Sequence, residues 1–155
     1  MSEQLTTRQE QAEPQPQPEA NLGYLFRLAF QRFRAALEDE LQGFGLSAQE
    51  YGILSVFETR EELSTSELAR LAQVKRQTMH AAVVELEATG LLERRPKNQR
   101  VVLVRPTRRG RAHLEAATGN VRAVERAALA GLSDDEARAV RTWLARVAAG
   151  GWEPS

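Results

Sequence analysis

From residue 21 onward, apolar side chains recur at steps of three and four: Leu22, Leu25, Phe26, Ala29, Phe30, Phe33, Leu37 and Leu41. That period places them on one stripe of a helix, which Gly43 and Gly45 bring to an end. The stripe is wide and aromatic, as suits a helix that packs against more than one neighbour, a second subunit included. Three later helix starts are marked by a serine with a glutamate three residues on: Ser47/Glu50, Ser64/Glu67 and Ser133/Glu136. In each pair the serine oxygen accepts a free N–H of the first turn and the glutamate reaches back to the cap. The first opens a helix carrying Tyr51, Ile53, Leu54 and Phe57, which runs out in the charged stretch 58–62. The second turns Leu68, Leu71 and Ala72 inward. A break at Gln73-Val74 leads into another helix with Met79, Val83 and Leu86 inside, and Gly90 supplies its stop.

After Gly90 the period falls to two. Leu91 to Arg95 and Arg100 to Arg105 read as strands, the second β-branched, joined by the polar turn Pro96-Lys97-Asn98-Gln99. Pro106 ends the ladder and Thr107 caps a second long helix, with Leu114, Ala117, Val121, Val124 and Ala128 on one face and Gly131 as its breaker. A last helix from Ser133 carries Val140, Trp143, Leu144 and Val147 and stops at Gly150-Gly151. The predicted class is α+β and predominantly helical, with a small cationic hairpin directly behind a helix-turn-helix.

Charge sharpens this picture. The 155-residue chain is neutral overall, yet between Arg94 and Arg111 it carries Arg94, Arg95, Lys97, Arg100, Arg105, Arg108, Arg109 and Arg111 and no acid. A run of one sign beside a helix-turn-helix predicts a localised surface for anions. The first twenty residues, rich in Gln, Glu and Pro, read as a solvated tail, and they lack the apolar centre of a signal peptide. No apolar run approaches the roughly 20 residues that span a bilayer. A cytoplasmic protein without membrane contact is expected. With no cysteine, disulfides, thiolate metal sites and thiol redox switches are excluded.

The helix opening near Lys75 turns Lys75, Arg76, Gln77, Thr78 and His80 away from its apolar face. A helix fits the major groove of double-stranded DNA, where Arg forks onto guanine and Gln pairs with adenine. Thr78 suits a phosphate or a thymine methyl. Thr65 and Ser66, at the start of the preceding helix, are expected to contact phosphate and position the domain without reading sequence. On the hairpin, Lys97, Asn98 and Arg100 form the tip, flanked by Arg94 and Arg95. A guanidinium at such a tip gains from the potential of a narrow minor groove. Enzyme chemistry finds no support. Gly43-x-Gly45-x-x-Ala48 follows a helix rather than a strand, so it is not a dinucleotide loop. The two histidines, His80 and His113, lie 33 positions apart and have no metal-ligand spacing.

By order and spacing, residues 22 to 149 resemble the MarR family of winged-helix regulators. The resemblance rests on Leu68-Ala69 with Leu71-Ala72, on Leu86-Glu87-x-x-Gly90-Leu91-Leu92-Glu93-Arg94, and on Val101-Val-Leu-Val-Arg-Pro-Thr-x-x-Gly110. It implies a homodimer in which 21–45 and 107–150 form an all-helical dimerisation region and 46–106 a winged helix-turn-helix domain. The recognition helix would run from Lys75 to Thr89, and Arg100 would enter the minor groove. It further implies a repressor bound to a pseudo-palindromic operator, with no cofactor but with a small aromatic or phenolic anion as effector. Phe30, Arg34, Tyr51 and Phe57 are candidates to line the effector pocket, and core or interface packing explains their positions equally well. Two departures stand out. The family wing carries Asp-x-Arg where this chain has Asn98-Gln99-Arg100, which replaces a charge-assisted tether on the arginine by a neutral one. Lys75 stands where a capping Ser or Asp is usual, and Ala81 where the family has a polar residue. Two other functional classes remain: a nonspecific architectural DNA-binding protein, and a winged helix that docks protein.

Overall fold

The computed structural model describes residues 17–98 and 100–151. Most of the expected tail of 1–20, and Gln99 in the hairpin turn, lie outside the described residues. In chain order the elements are α1 (Leu22–Gln42), α2 (Ala48–Ser55), a single 3₁₀ turn (Val56–Glu58), β1 (Leu63–Ser64), α3 (Thr65–Leu71), α4 (Arg76–Ala88), β2 (Leu92–Pro96), β3 (Val102–Pro106), α5 (Arg108–Ala128) and α6 (Asp134–Ala148). The fold is α+β and predominantly helical, as the periodicity predicts.

The helix starts follow from local chemistry. All three Ser/Glu pairs form complete capping boxes, with Glu50, Glu67 and Glu136 N–H groups donating to their serines at 3.1, 3.2 and 3.3 Å. Hydrogen bonds from the Ser64 hydroxyl and backbone hold the Glu67 carboxyl below its ordinary 4.5, and the Ser133 backbone and hydroxyl do the same for Glu136. Thr107 caps α5 by accepting from the Gly110 N–H at 3.0 Å. Its own hydroxyl donates to Gly90 O at 2.6 Å, which ties the start of α5 to the end of α4.

The helix ends are equally explicit. Past α4, the Gly90 N–H reaches Glu87 O and the Leu91 N–H reaches Leu86 O at 2.9 and 2.8 Å, the paired bonds of a Schellman stop around Gly90 at φ 73°. Past α3 the same pattern recurs, from Gln73 N–H to Arg70 O and from Val74 N–H to Ala69 O. The left-handed position there is Gln73 at φ 53° instead of a glycine. A side chain in that region costs about 1–2 kcal/mol, and the turn between α3 and α4 is retained at that cost.

The sheet runs β1-β3-β2 and is antiparallel throughout. β2 and β3 pair from Leu92 with Pro106 at the root to Pro96 with Val102 near the tip. Two-residue β1, which the sequence does not announce, pairs Leu63 with Val104 and Ser64 with Leu103 and so fastens the hairpin to the start of α3.

The described residues divide into two compact units, one ending at Arg32 and the other beginning at Phe33. In the first, Asn21 Oδ1 accepts from the N–H groups of Gly23 and Tyr24 and starts α1, whose Leu22, Tyr24, Phe26 and Phe30 are exposed. In the second, Leu41, Ile53, Leu54, Phe57, Leu68, Met79, Val83, Leu86, Leu92, Val104 and Leu114 belong to one core. α6 buries none of its residues, and its Val140 and Leu144 face outward. No helix among the described residues is long and apolar enough to cross a membrane.

Candidate nucleic-acid interface

Burial of Met79, Ala82, Val83 and Leu86 fixes how α4 is rotated. Lys75, Arg76, Gln77, Thr78 and His80 are consequently all exposed, on the side away from the core. Lys75 occupies the N-cap in extended geometry and makes no side-chain cap bond. The first turn of α4 thus keeps its N–H groups and the positive end of its dipole without a carboxylate, as favours an anion.

At α3 the situation differs. Thr65 is half-buried and Ser66 exposed, but the Glu67 carboxylate already caps the helix through Ser64 at 2.9 Å and 2.6 Å. Its negative charge weakens the attraction of this short helix for phosphate. A shallow groove lined by Ser66, Glu67, Ala69, Arg70, Val74 and Arg76 nevertheless joins the start of α3 to the start of α4. Arg70, which the sequence reading did not single out, brings a second guanidinium into that groove. Its signal was present in the sequence: it lies one turn from Ser66 on the polar side of α3. Lys97 also acts electrostatically on Glu67, so the hairpin turn lies near the same helix start.

The basic block separates once its partners are known. Arg94 Nε donates to Glu87 Oε2 at 2.8 Å, lowering the Glu87 carboxyl and raising the guanidinium. Arg95 bonds both Glu62 oxygens, at 3.2 and 3.0 Å, and Arg105 Nε bonds Glu93 at 2.6 Å. These pairs are exposed, and each is worth about 0–1 kcal/mol. Lys97, Arg100, Arg108, Arg109 and Arg111 have no ion pair among the described residues. Arg109 reaches to within 3.9 Å of where a β-carbon on Gly90 would stand. It therefore sits at the carbonyl end of α4, about 18 Å along that helix from Arg76, where a cation offsets the helix dipole.

At the tip, Asn98 Oδ1 accepts from the backbone N–H groups of Arg100 and Val101, both at 2.9 Å. The Lys97 N–H meets Val101 O at 2.8 Å and closes the turn. Asn98 thus supplies the neutral hydrogen bonds anticipated in place of a charged tether, but to the backbone of the arginine rather than to its guanidinium.

The four residues named for an effector pocket fall in different settings. Phe57 is 1% exposed in the core, and Phe30 is 58% exposed. Arg34 Nε lies 3.6 Å from Glu38, one turn along α1. Tyr51 Oη is 3.2 Å from Thr118 Oγ1, whose own hydrogen goes to Leu114 O at 2.8 Å, so the tyrosine is the donor. His113 Nε2 is 2.7 Å from Phe44 O and anchors the loop after α1. No cluster of three metal-ligating side chains occurs among the described residues.

A family model matches residues 44–100, and it is that of the MarR family. A probable transcriptional regulator from Pseudomonas aeruginosa is similar over 84% of this chain and 99% of its own, at 31% identity and TM-score 0.76. A Mycobacterium tuberculosis MarR family protein in complex with DNA is 31% identical over 83% of this chain and 98% of its own, with TM-score 0.69. The chain belongs to the MarR family. The same M. tuberculosis protein in complex with salicylic acid matches at 30% identity over 84% of this chain and 98% of its own, with TM-score 0.65. No curated protein matches the chain. As a MarR family member it is a winged-helix transcriptional regulator; α4 and β2 lie within the region that the family model covers, and β3 follows directly after it.

Proposed function

We propose that this MarR family protein is a homodimeric repressor that binds a pseudo-palindromic operator and releases it when a small aromatic anion binds. The observation that carries the DNA-binding part is the exposed face of α4, where Lys75, Arg76, Gln77, Thr78 and His80 stand together and Lys75 and Arg76 have no ion pair among the described residues. Arg76 and Gln77 read base edges; Lys75 and Thr78 hold phosphate, with Thr65, Ser66 and Arg70 beside them. Lys97 and Arg100 enter the minor groove from the wing. Arg94 and Arg95 support its root through Glu87 and Glu62, and turn to phosphate at small cost because their pairs are exposed.

Residues 46–106 form the reading head in this account, and 21–45 with 107–150 form the dimer. The exposed Leu22, Phe26 and Phe30 of α1 and the exposed Val140 and Leu144 of α6 are apolar surface suited to a second copy. Two reading heads then meet half-sites about one helical turn apart. Response to an anion is supported by the salicylic acid complex of the M. tuberculosis relative. In this chain Arg34 offers a cation and Tyr51 a hydroxyl for such a ligand.

A salt-titrated binding assay tests the proposal. The full chain should bind a palindromic duplex from its own promoter as two copies, more tightly than scrambled DNA, and salicylate should weaken that complex. Equal, salt-sensitive affinities for both duplexes would make the protein architectural, and no binding at low salt would overturn the reading.

A further inference from the structure

Val84 is the one large apolar side chain of α4 that stays out of the core: it is 40% exposed, whereas Met79, Val83 and Leu86 are fully buried. Neither packing nor propensity accounts for it, since a β-branched residue loses side-chain freedom in a helix and gains nothing from solvent. The helical period places Val84 on one side with Gln77, Ala81 and Ala88, all exposed and opposite the buried residues. The centre of the outward face is thus a narrow apolar stripe that continues from Gln77. Beyond His80 this face holds no cation, and Glu85 borders it, so this half of α4 offers apolar contact and nothing to hold phosphate. The stripe is also too small for a protein partner: Ala81, Val84 and Ala88 fall far short of the roughly 800 Å² that a stable interface takes from each side.

We infer that Val84 is a specificity residue of the DNA face: its methyl groups pack on the 5-methyl group of a thymine in the major groove, with Ala81 beside it. This rests on the DNA-binding reading above. The thymine methyl is the apolar group that base edges present in that groove, so an apolar side chain among base-reading ones selects an A·T pair. Val84 lies about 10 Å along the helix from Gln77, the length of about three base pairs. A helix laid along the groove therefore meets this thymine about three base pairs from the adenine that Gln77 takes. The contact carries no charge, so it acts on sequence preference and leaves the salt dependence alone.

The test uses the full-length protein and the duplex from its own promoter, with thymines replaced one at a time by deoxyuridine, which lacks only the 5-methyl group. In the parent, at least one position in each half-site should lose about fourfold in affinity, the worth of one buried methyl group. Val84→Ser, of similar helix propensity, should melt with the parent and bind the thymine duplex about fourfold more weakly. It should respond no further to deoxyuridine at that position, and its salt slope should match the parent's. A parent that prefers its promoter duplex but has no sensitive position would overturn the inference, as expected if the stripe covers protein instead. So would a deoxyuridine penalty that persists in full in Val84→Ser, since another side chain would then hold the methyl. A parent that binds promoter and scrambled duplexes alike would contradict the function proposed above, and this inference with it.

Discussion

The Leu91 carbonyl oxygen lies against the α-carbon of Gly110, so close that a β-carbon on Gly110 would stand 1.9 Å from it. This contact, with the Thr107 N–H donating to the same oxygen at 3.0 Å, joins the root of the hairpin to the first turn of α5. Only glycine lets the helix approach so near. Gly110→Ala must push α5 away from the wing root, and such overpacking costs about 1–3 kcal/mol. Thermal melting should show this loss, and a variant that melts with the parent would mean the junction yields freely.

Lys75 trades helix stability for charge. As an N-cap it accepts no hydrogen bond, so Lys75→Ser should stabilise α4 by about 1 kcal/mol in chemical denaturation. The same change removes a cation from the proposed DNA face, and the slope of log affinity against log salt should become shallower by about one. Stability and binding should move in opposite directions.

The arginines of the wing should not be equivalent. Arg95 is held by Glu62, whereas Arg100 has no carboxylate among the described residues. Arg100→Ala should reduce the salt slope by about one, while Arg95→Ala should change it less. Comparable slopes in the two variants would remove the distinction between tip and root.

Acid should weaken the protein through two helix caps, at Glu67 and Glu136, and through the Glu87–Arg94 ion pair. Glu67, Glu87 and Glu136 are held below their ordinary 4.5 in the folded chain. At mildly acidic pH the unfolded state therefore binds more protons, so their contribution is complete above the unfolded value and is lost as pH falls through the lower folded values. Ser64→Ala releases Glu67 from its cap and should flatten the acid side of the stability profile, besides costing about 1 kcal/mol at neutral pH. A profile of unchanged shape would place the depression elsewhere.

Much of the fold was legible because its signals are local. Each Ser/Glu pair needs only four residues to specify a helix start, and Gly90 alone supplies the left-handed residue that ends α4. β1 was missed because two residues, Leu63 and Ser64, carry no period of their own; their partner strand lies forty positions away. The charge block was legible as a sum but not in its parts. Glu62 and Glu87 lie outside it in sequence and reach Arg95 and Arg94 only after the hairpin has folded onto its neighbours. Asn98 was recognisable as a departure at the wing, yet a sequence cannot say which hydrogen atoms its oxygen will meet. Phe57 shows the opposite case: an aromatic at helical spacing was compatible with pocket or core, and its burial comes from elements distant in the chain.

The central claim is that the exposed face of α4 reads base pairs. Arg76→Lys keeps the charge but loses the planar fork that matches guanine. At physiological salt the parent should bind its operator at least about 1,000-fold more tightly than scrambled DNA. Arg76→Lys should lower that ratio about tenfold while leaving the salt slope in place. A parental ratio near one, or a ratio that Arg76→Lys does not change, would contradict the account.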